Sequence, residues 1–357
     1  MGVEVVHEFP LQLAKVQRPS LRRETLRRDR LIAWLRIKIH HRVVLITAEA
    51  GYGKTTLLSD YARHSRRPTI WYRLDEEDRN WVSFLHYLVA AGREIEPTFA
   101  KTTGELLSQL GASAGPSRDT IVATFMRELQ SLATGGAALI IDDYHLVDDV
   151  PDIRVLVREL IASAPERLTL VFISRRTPTL PLARLRSHGE VAELTATDLR
   201  FDLDETERLF RDTYGRQLEP DVLADLADRT EGWAASLHLV NTALQDRSPS
   251  EIRAFVHGLT GATGELYDYL AEEVVGELDE GTQRFLMQTS VLQAVDPTLA
   301  EVVSGVPAAQ AQELITVVER MGLLSSRGRG IRRSRSYHPL VREFLAARLR
   351  RWPASPH

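Results

Sequence analysis

The sequence predicts a parallel α/β sheet flanked by helices, followed by an all-α helical domain and then a winged-helix domain. Up to Arg200, short β-rich runs alternate with helical segments, which is the pattern of a parallel sheet. After Arg200, long apolar strand runs stop and capped helices follow. Near the C-terminal end, two short strand-like runs around a Gly-Arg turn lie between helical segments, as in a winged helix.

The composition is that of an ordinary folded protein with several domains. Its 357 residues exceed what one hydrophobic core usually organises. The 45 Lys and Arg residues against 49 Asp and Glu residues give a net charge of −4, so no overall positive field favours nucleic acid or an anionic membrane. With no cysteine, disulfides and thiolate chemistry are excluded. We expect three domains, at residues 1–200, 201–262 and 263–357.

Targeting signals are absent from the sequence pattern. The first twenty residues carry acids and a proline where a secretion signal needs an apolar core, and no segment approaches the length of a membrane span. We therefore expect a cytoplasmic protein that has no membrane partner.

Individual elements follow from local patterns. The stretch from Thr102 to Thr120 is rich in Gly, Ser and Pro and is interpreted as a loop between helices. Asp204, with Glu207 three residues later, has the spacing of a capping box. Pro339 is expected at the first position of the last helix. Five strands are predicted, in the runs RVVLITAE, TIWYRL, AALIIDD, LTLVFISRR and EVAEL.

The segment AEAGYGKTTL between the first strand and the next helix has the pattern of a phosphate-binding loop. Glycines let backbone N–H groups turn toward phosphate oxygens, a Lys reaches the β and γ phosphates, and a Thr hydroxyl ligates Mg²⁺. Ala48 stands where the strict pattern has glycine, which is tolerable if its φ is negative. The sequence therefore predicts a P-loop NTPase domain. The candidate binding residues are Ala50, Gly51, Tyr52, Gly53, Lys54, Thr55 and Thr56.

Two neighbouring strands end in residues that complete such a site. Asp142 and Asp143 end the apolar run LIIDD, where ligands bind in open α/β sheets. We assign Asp142, with Thr55, to Mg²⁺ and Asp143 to the general base. Arg175 in FISRR is the candidate sensor of the γ phosphate, although the sequence leaves open whether Arg175 or Arg176 points inward.

Six motifs in a fixed order carry a family resemblance. The series AGYGKTTL, WYRLDEED, LIIDDYHLV, SRRTP, EGWAASLHL and YHPLVREFL resembles the STAND class of signal-transduction ATPases, in particular the MalT-type group of large LuxR-family transcriptional activators. The resemblance implies ATP and ADP as ligands. It also implies domains that close over ADP at rest, and an opening on exchange for ATP that permits homo-oligomerisation.

The resemblance assigns further residues. Gly232 and Trp233 would approach the nucleotide from the helical lid domain, although from the residues alone Trp233 is more typical of a core position. His338 would contact the β phosphate of ADP and hold the closed form. Arg18 and Pro19 would frame the adenine. MalT-type proteins continue after the winged helix with a sensor-repeat domain and a helix-turn-helix, which the given sequence does not include. We therefore expect either the ATPase core of a longer regulator or a short relative that acts through a partner protein, which puts direct transcription activation in doubt and leaves the inducer open.

Two alternatives to a nucleotide-operated switch with slow ATP hydrolysis stay open. The first is an AAA-like ATPase that acts on DNA through a basic wing formed by Arg327, Arg329, Arg332, Arg333 and Arg335. The second is an interaction module in which the nucleotide is only structural. DNA-stimulated ATP turnover would favour the first alternative, and copurified ADP with ATP-dependent assembly would favour the switch.

Overall fold

In the computed structural model, the chain divides into two compact units. The structure describes residues 11–110, 115–132, 135–245, 247–259, 267–268, 271, 275–276, 278–320, 323–327 and 334–352. Unit 1 comprises the described parts of Met1–Arg23, Arg27–Thr47 and Lys54–Thr195; unit 2 comprises those of Glu24–Leu26, Ala48–Gly53 and Ala196–His357. The predicted three-domain division stays a prediction.

Unit 1 is built on a five-stranded parallel sheet in the order β2-β3-β4-β1-β5, which confirms the predicted sheet. The strands are β1 (Val43–Thr47), β2 (Thr69–Arg73), β3 (Ala137–Asp142), β4 (Leu168–Ser174) and β5 (Val191–Thr195). Every residue of β3 and β4 is buried, as expected for inner strands. Because the strands are parallel and Thr47 pairs with Ser174, their carboxyl ends meet at one edge, and this edge carries the predicted acids.

Helices pack around the sheet and enclose a core of aliphatic and aromatic side chains. They are α1 (Asp29–Lys38), α2 (Lys54–His64), α3 (Trp81–Arg93), α4 (Lys101–Ser108), α5 (Arg118–Leu132), α6 (Pro151–Ser163) and α7 (Ala183–Ser187). Among the described residues, no helix is both long and apolar enough to cross a bilayer.

Helix α4 corrects the sequence prediction, which treated the stretch from Thr102 as a loop. The carboxylate of Glu128, on α5, accepts hydrogen bonds from the backbone N–H groups of Thr102 and Thr103, each at 3.0 Å. Leu107 is buried in the core. A cap supplied from 25 residues away, together with one apolar anchor, therefore stabilises a helix whose own composition does not favour one.

Unit 2 is mostly helical. Its helices are α8 (Ala196–Leu199), α9 (Leu203–Arg208), α10 (Pro220–Thr230), α11 (Ala234–Ala243), α12 (Pro249–His257), α13 (Glu280–Thr289), α14 (Pro297–Ser304), α15 (Ala308–Arg320) and α16 (Pro339–Arg351). The predicted capping box is wrong by two residues, because Asp202 caps α9 and Glu205 completes the box. The spacing alone could not choose between the two pairs.

The C-terminal part of unit 2 contains the elements of a winged helix. Strands β6 (Leu324–Arg327) and β7 (Ser334–Tyr337) form an antiparallel pair between α15 and α16. Helix α13 packs against α16, and α14 packs against α15. Pro339 opens α16 as predicted. The turn with Arg329, Arg332 and Arg333, the side chain of Arg327, and the boundary predicted near residue 263 lie outside the described residues.

Candidate functional site

The loop between β1 and α2, which we call the P-loop segment (residues 48–53), has two glycines in the left-handed region. Gly51 has φ of 77° and Gly53 has φ of 75°. A Cβ on Gly53 would meet no atom within 4 Å, so backbone conformation rather than space requires glycine there. Ala48 has a negative φ, which is the condition under which alanine is tolerated in place of glycine.

Within unit 1, Asp142 lies next to the start of α2. Thr55 Oγ1 is 3.0 Å from Asp142 Oδ2 and donates to this carboxylate. Asp142 is fully buried, and desolvation together with the charge of Asp143 raises its pKa to about 7, against the opposing effects of Thr55, Lys54 and Arg73. A buried carboxylate that is costly to ionise is suited to a cation, because the cation restores its charged form.

This pair fits the chemistry of Mg²⁺, whose preferred ligands are oxygens. A hydroxyl and a carboxylate 3.0 Å apart supply two of them, and P-loop sites obtain the rest from phosphates and water. Within the described ranges, no cluster of three or more His, Cys, Asp or Glu residues could hold a metal by itself. A metal held here would therefore depend on phosphate oxygens.

Asp143 has a different environment from Asp142. Its φ of 59° lies in the left-handed region, and its backbone N–H donates to Asp142 Oδ1 at 3.1 Å. Its carboxylate is 3.5 Å from Arg73 Nε and remains partly exposed. The backbone turn thus directs the two neighbouring carboxylates into different surroundings, one dry and one accessible to water. Its predicted role as general base stays a prediction.

The end of β4 gives Arg175 and Arg176 different surroundings. Ser174 Oγ donates to the carbonyl of Arg176 at 2.5 Å, and Arg176 Nη2 donates to the carbonyl of His145 at 2.9 Å. Arg176 is therefore used to hold the turn after β3. Arg175 is half-buried, and its charge acts on the imidazole of His145. Because Arg176 is bonded to the carbonyl of His145, Arg175 remains the candidate sensor of the γ phosphate.

His145 is a residue that the sequence reasoning missed. Its side chain is buried, and within the described part of the chain its Nδ1 has no hydrogen-bond partner. Burial, with the charges of Arg175, Lys54 and Arg176, lowers its pKa to about 3, so the ring is neutral at physiological pH. The only available signal was its position three residues after Asp142 in DDYH.

In unit 2, Trp233 contacts the P-loop segment. The indole Nε1–H donates to the carbonyl of Ala50 at 3.1 Å, and the backbone N–H of Ala235 donates to the carbonyl of Gly51 at 3.0 Å. The rings of Trp233 and Tyr52 lie 6.3 Å apart. Trp233 is buried, as expected for a core residue, and it also lies beside the P-loop segment.

Gly232 and His338 are held by contacts within unit 2. Gly232 has φ of 69°, and a Cβ there would overlap the backbone of Phe201. His338 Nε2 is 3.0 Å from the carbonyl of Thr230, and Nδ1 accepts from the N–H of Leu340 at 3.3 Å. The ring is also 5.8 Å from that of Trp233. A phosphate contact by Nε2 would therefore require His338 to release Thr230.

The remaining predicted residues are less constrained. Thr56 is exposed on α2, next to Thr55. Arg18 is exposed and Pro19 half-buried, just after the buried Lys15, whose Nζ is 2.6 Å from Asp75 and 3.1 Å from Asp78. This ion cluster, in which Lys15 and Asp78 are buried and Asp75 is exposed, anchors the segment that leads to Arg18. Among the described residues, Arg18 and Pro19 form no hydrogen bond or ion pair, so their predicted role at the adenine stays a prediction.

Comparison with known families matches two parts of the chain. Residues 37–176 match the AAA domain family, and residues 271–356 match the MalT winged helix domain family. The first range spans the P-loop segment and the acids of β3, and the second spans the hairpin and α16. The chain is thus similar to a P-loop NTPase domain in one part and to the MalT winged helix in the other. The predicted fold class and family resemblance are thereby confirmed.

Curated relatives of the chain agree with both matches. The chain is 32% identical over 336 residues to the HTH-type transcriptional regulator MalT of Cronobacter sakazakii, and 33% identical over 337 residues to that of Yersinia pestis. Each alignment covers 94% of this chain but 36% of the relative. The chain thus spans about a third of the length of the curated relatives it matches.

Among solved structures, a Walker-type ATPase of Pyrococcus abyssi shares the fold of this chain. Its TM-score is 0.61 at 13% sequence identity, with 92% of this chain and 98% of that chain covered. A likeness at this level of identity concerns the fold alone.

Proposed function

We propose that this chain is an ATP/ADP-operated switch that binds ATP with Mg²⁺, hydrolyses it slowly, and is held in a closed form by ADP. The single observation that carries the proposal is the contact between Thr55 and the buried Asp142, at the start of the helix that follows the P-loop segment. The fold implies nucleotide binding, and this pair gives the bound phosphates a place for a cation.

Each candidate site residue of unit 1 has a distinct role in this proposal. Lys54 neutralises charge on the β and γ phosphates, while Thr55 and Asp142 hold Mg²⁺, which would polarise the phosphate oxygens when bound. Asp143, which is accessible to water, orients the attacking water molecule. Arg175 responds to the presence of the γ phosphate. Catalysis of this kind is mostly positioning, so turnover stays slow when product release is hindered.

The regulatory part of the proposal rests on the relatives. Those of C. sakazakii and Y. pestis are named as transcriptional regulators, and this chain resembles about a third of each. We assign the chain to the same kind of regulation, with ADP keeping it closed and ATP allowing self-association in response to an inducer. His338 serves this mechanism by exchanging its bond to Thr230 for a phosphate of ADP.

The test is to denature the purified protein, identify any released nucleotide by chromatography, and measure ADP and ATP binding by calorimetry with Mg²⁺. We expect released ADP, measurable affinity for both nucleotides, and loss of at least 100-fold in ATP affinity for Lys54→Ala, because a strong charge-assisted contact is removed. Lys101→Ala is the matched control, since Lys101 is an exposed residue at the start of α4. Equal binding by both variants and the wild type would refute the proposal.

A further inference from the structure

The carbonyl groups of the P-loop segment accept hydrogen bonds from Trp233, just before helix α11, and from the first turn of that helix. Two successive carbonyls, those of Ala50 and Gly51, accept hydrogen bonds from the Trp233 indole and the Ala235 backbone, at 3.1 and 3.0 Å. All four residues belong to unit 2. Two donors on successive carbonyls fix the orientation of two successive peptide planes.

The orientation of a carbonyl determines that of the N–H in the same peptide. In a planar trans peptide the C=O and N–H bonds point in opposite directions, and the described residues contain no cis peptide. The N–H groups of Gly51 and Tyr52 therefore point away from α11. Within the described residues the N–H groups of Gly51 and Gly53 have no hydrogen-bond acceptor. Free N–H groups in such a loop are what a bound phosphate requires.

The position of Trp233 is itself fixed by the residues around it. Gly232 takes a backbone conformation that favours glycine, and its carbonyl accepts from the N–H of Phe201 at 2.8 Å. Arg200 pairs with Glu231 at 2.7 Å and also bonds the hydroxyl of Tyr52. The turn before α11 and the side chain of Tyr52 are thus attached to the same arginine.

We propose that Trp233 and Ala235 are positioning residues that hold the carbonyls of the P-loop segment outward, so that the N–H groups of Gly51 and Tyr52 are aligned for phosphate. The inference rests on the proposed function. It assigns the indole of Trp233 to the loop backbone rather than to the nucleotide. Nucleotide affinity then depends on whether α11 is in contact with the loop, which gives the helical part of unit 2 a direct effect on phosphate binding.

The test compares Trp233→Phe with Trp71→Phe. Phenylalanine keeps an aromatic ring at position 233 but removes the N–H that holds Ala50. Trp71 is a buried tryptophan of β2 whose indole N–H has no partner among the described residues, so its replacement controls for the loss of ring volume. We expect calorimetric ADP and ATP affinities to fall about 3- to 10-fold for Trp233→Phe and to stay within about 2-fold for Trp71→Phe, as for loss of one hydrogen bond.

A second pair of variants tests the hydrogen bond from the Ala235 N–H to the Gly51 carbonyl. This pair also replaces the first test if Trp233→Phe does not fold. Proline is tolerated in the first turn of a helix, so Ala235→Pro removes the N–H bonded to Gly51, whereas Ala234→Pro removes one that forms no hydrogen bond among the described residues. Only Ala235→Pro should weaken nucleotide binding. If Trp233→Phe and Ala235→Pro bind ADP and ATP as tightly as their control variants do, the inference is wrong. If the wild type binds no nucleotide, the proposed function itself has failed.

Discussion

Asp142 and His145 show how burial sets the charge states in the site. Desolvation disfavours the charged form of both, so the pKa of the Asp142 carboxyl rises to about 7 and that of the His145 ring falls to about 3. Lys54 opposes the first shift and contributes to the second. The site therefore presents an acid that a cation can ionise, next to a ring that stays neutral.

The neutral His145 predicts a specific pH dependence of stability. Its pKa is about 3 when folded and about 6.5 when unfolded, so between these values the unfolded state binds one proton more. Stability therefore falls as the pH falls below 6.5, by at most about 1.4 kcal/mol per pH unit from this group. We expect His145→Gln to lose less stability than the wild type between pH 6.5 and 4.5 in urea unfolding without nucleotide. Parallel stability curves would contradict this reading of His145.

Individual site residues were predictable where their signal is local. The glycines, Lys54 and Thr55 follow from a short motif, and Asp142 follows from its place after an apolar strand. The environment of His145 was not predictable, because it depends on arginines that follow another strand. The partner of Trp233 is 183 residues away in sequence, and no local pattern could have shown it.

At the scale of elements, the turn between α10 and α11 depends on the absence of a side chain at Gly232. We expect Gly232→Ala to lower the free energy of unfolding of unit 2 by at least about 2 kcal/mol more than Gly215→Ala, because a methyl group overlaps the backbone of Phe201. Gly215 has a similar φ of 66° but open space around it, so its replacement should cost about 1 kcal/mol, from backbone conformation alone.

Urea or thermal unfolding that follows unit 2, for example through the fluorescence of Trp233, measures both glycine variants. Equal losses for Gly232→Ala and Gly215→Ala would mean that the chain around Phe201 can shift to accept a methyl group. In that case Gly232 would owe its identity to its backbone angle and not to close packing.

Elements were predictable from sequence when their periodicity was strong and their caps were local. All five strands of unit 1 were predicted within a few residues, and Pro339 was predicted as the first residue of the last helix. Helix α4 was missed because Glu128 on another helix supplies its cap. The capping box of α9 was displaced because two acidic pairs share one spacing, and only the position of the first turn distinguishes them.

At the scale of the molecule, the change from a parallel sheet to helices along the sequence was predictable, because the hydrophobic period changes after Arg200. The contact between the P-loop segment and α11 was not, since its hydrogen bonds form only in the folded chain. The N-terminal part of the loop motif thus belongs with the helical unit and Lys54 with the sheet.

The proposed switch requires that the bound nucleotide decides the state of the molecule. The most direct measurement is the molar mass in solution, by size exclusion coupled to light scattering, with Mg²⁺ and either ADP or ATP. We predict a monomer with ADP, a multiple of that mass with ATP, and a monomer in both cases for Lys54→Ala, because this variant loses ATP. The same mass with both nucleotides, in a wild-type protein shown to bind each of them, would rule out the proposed switch.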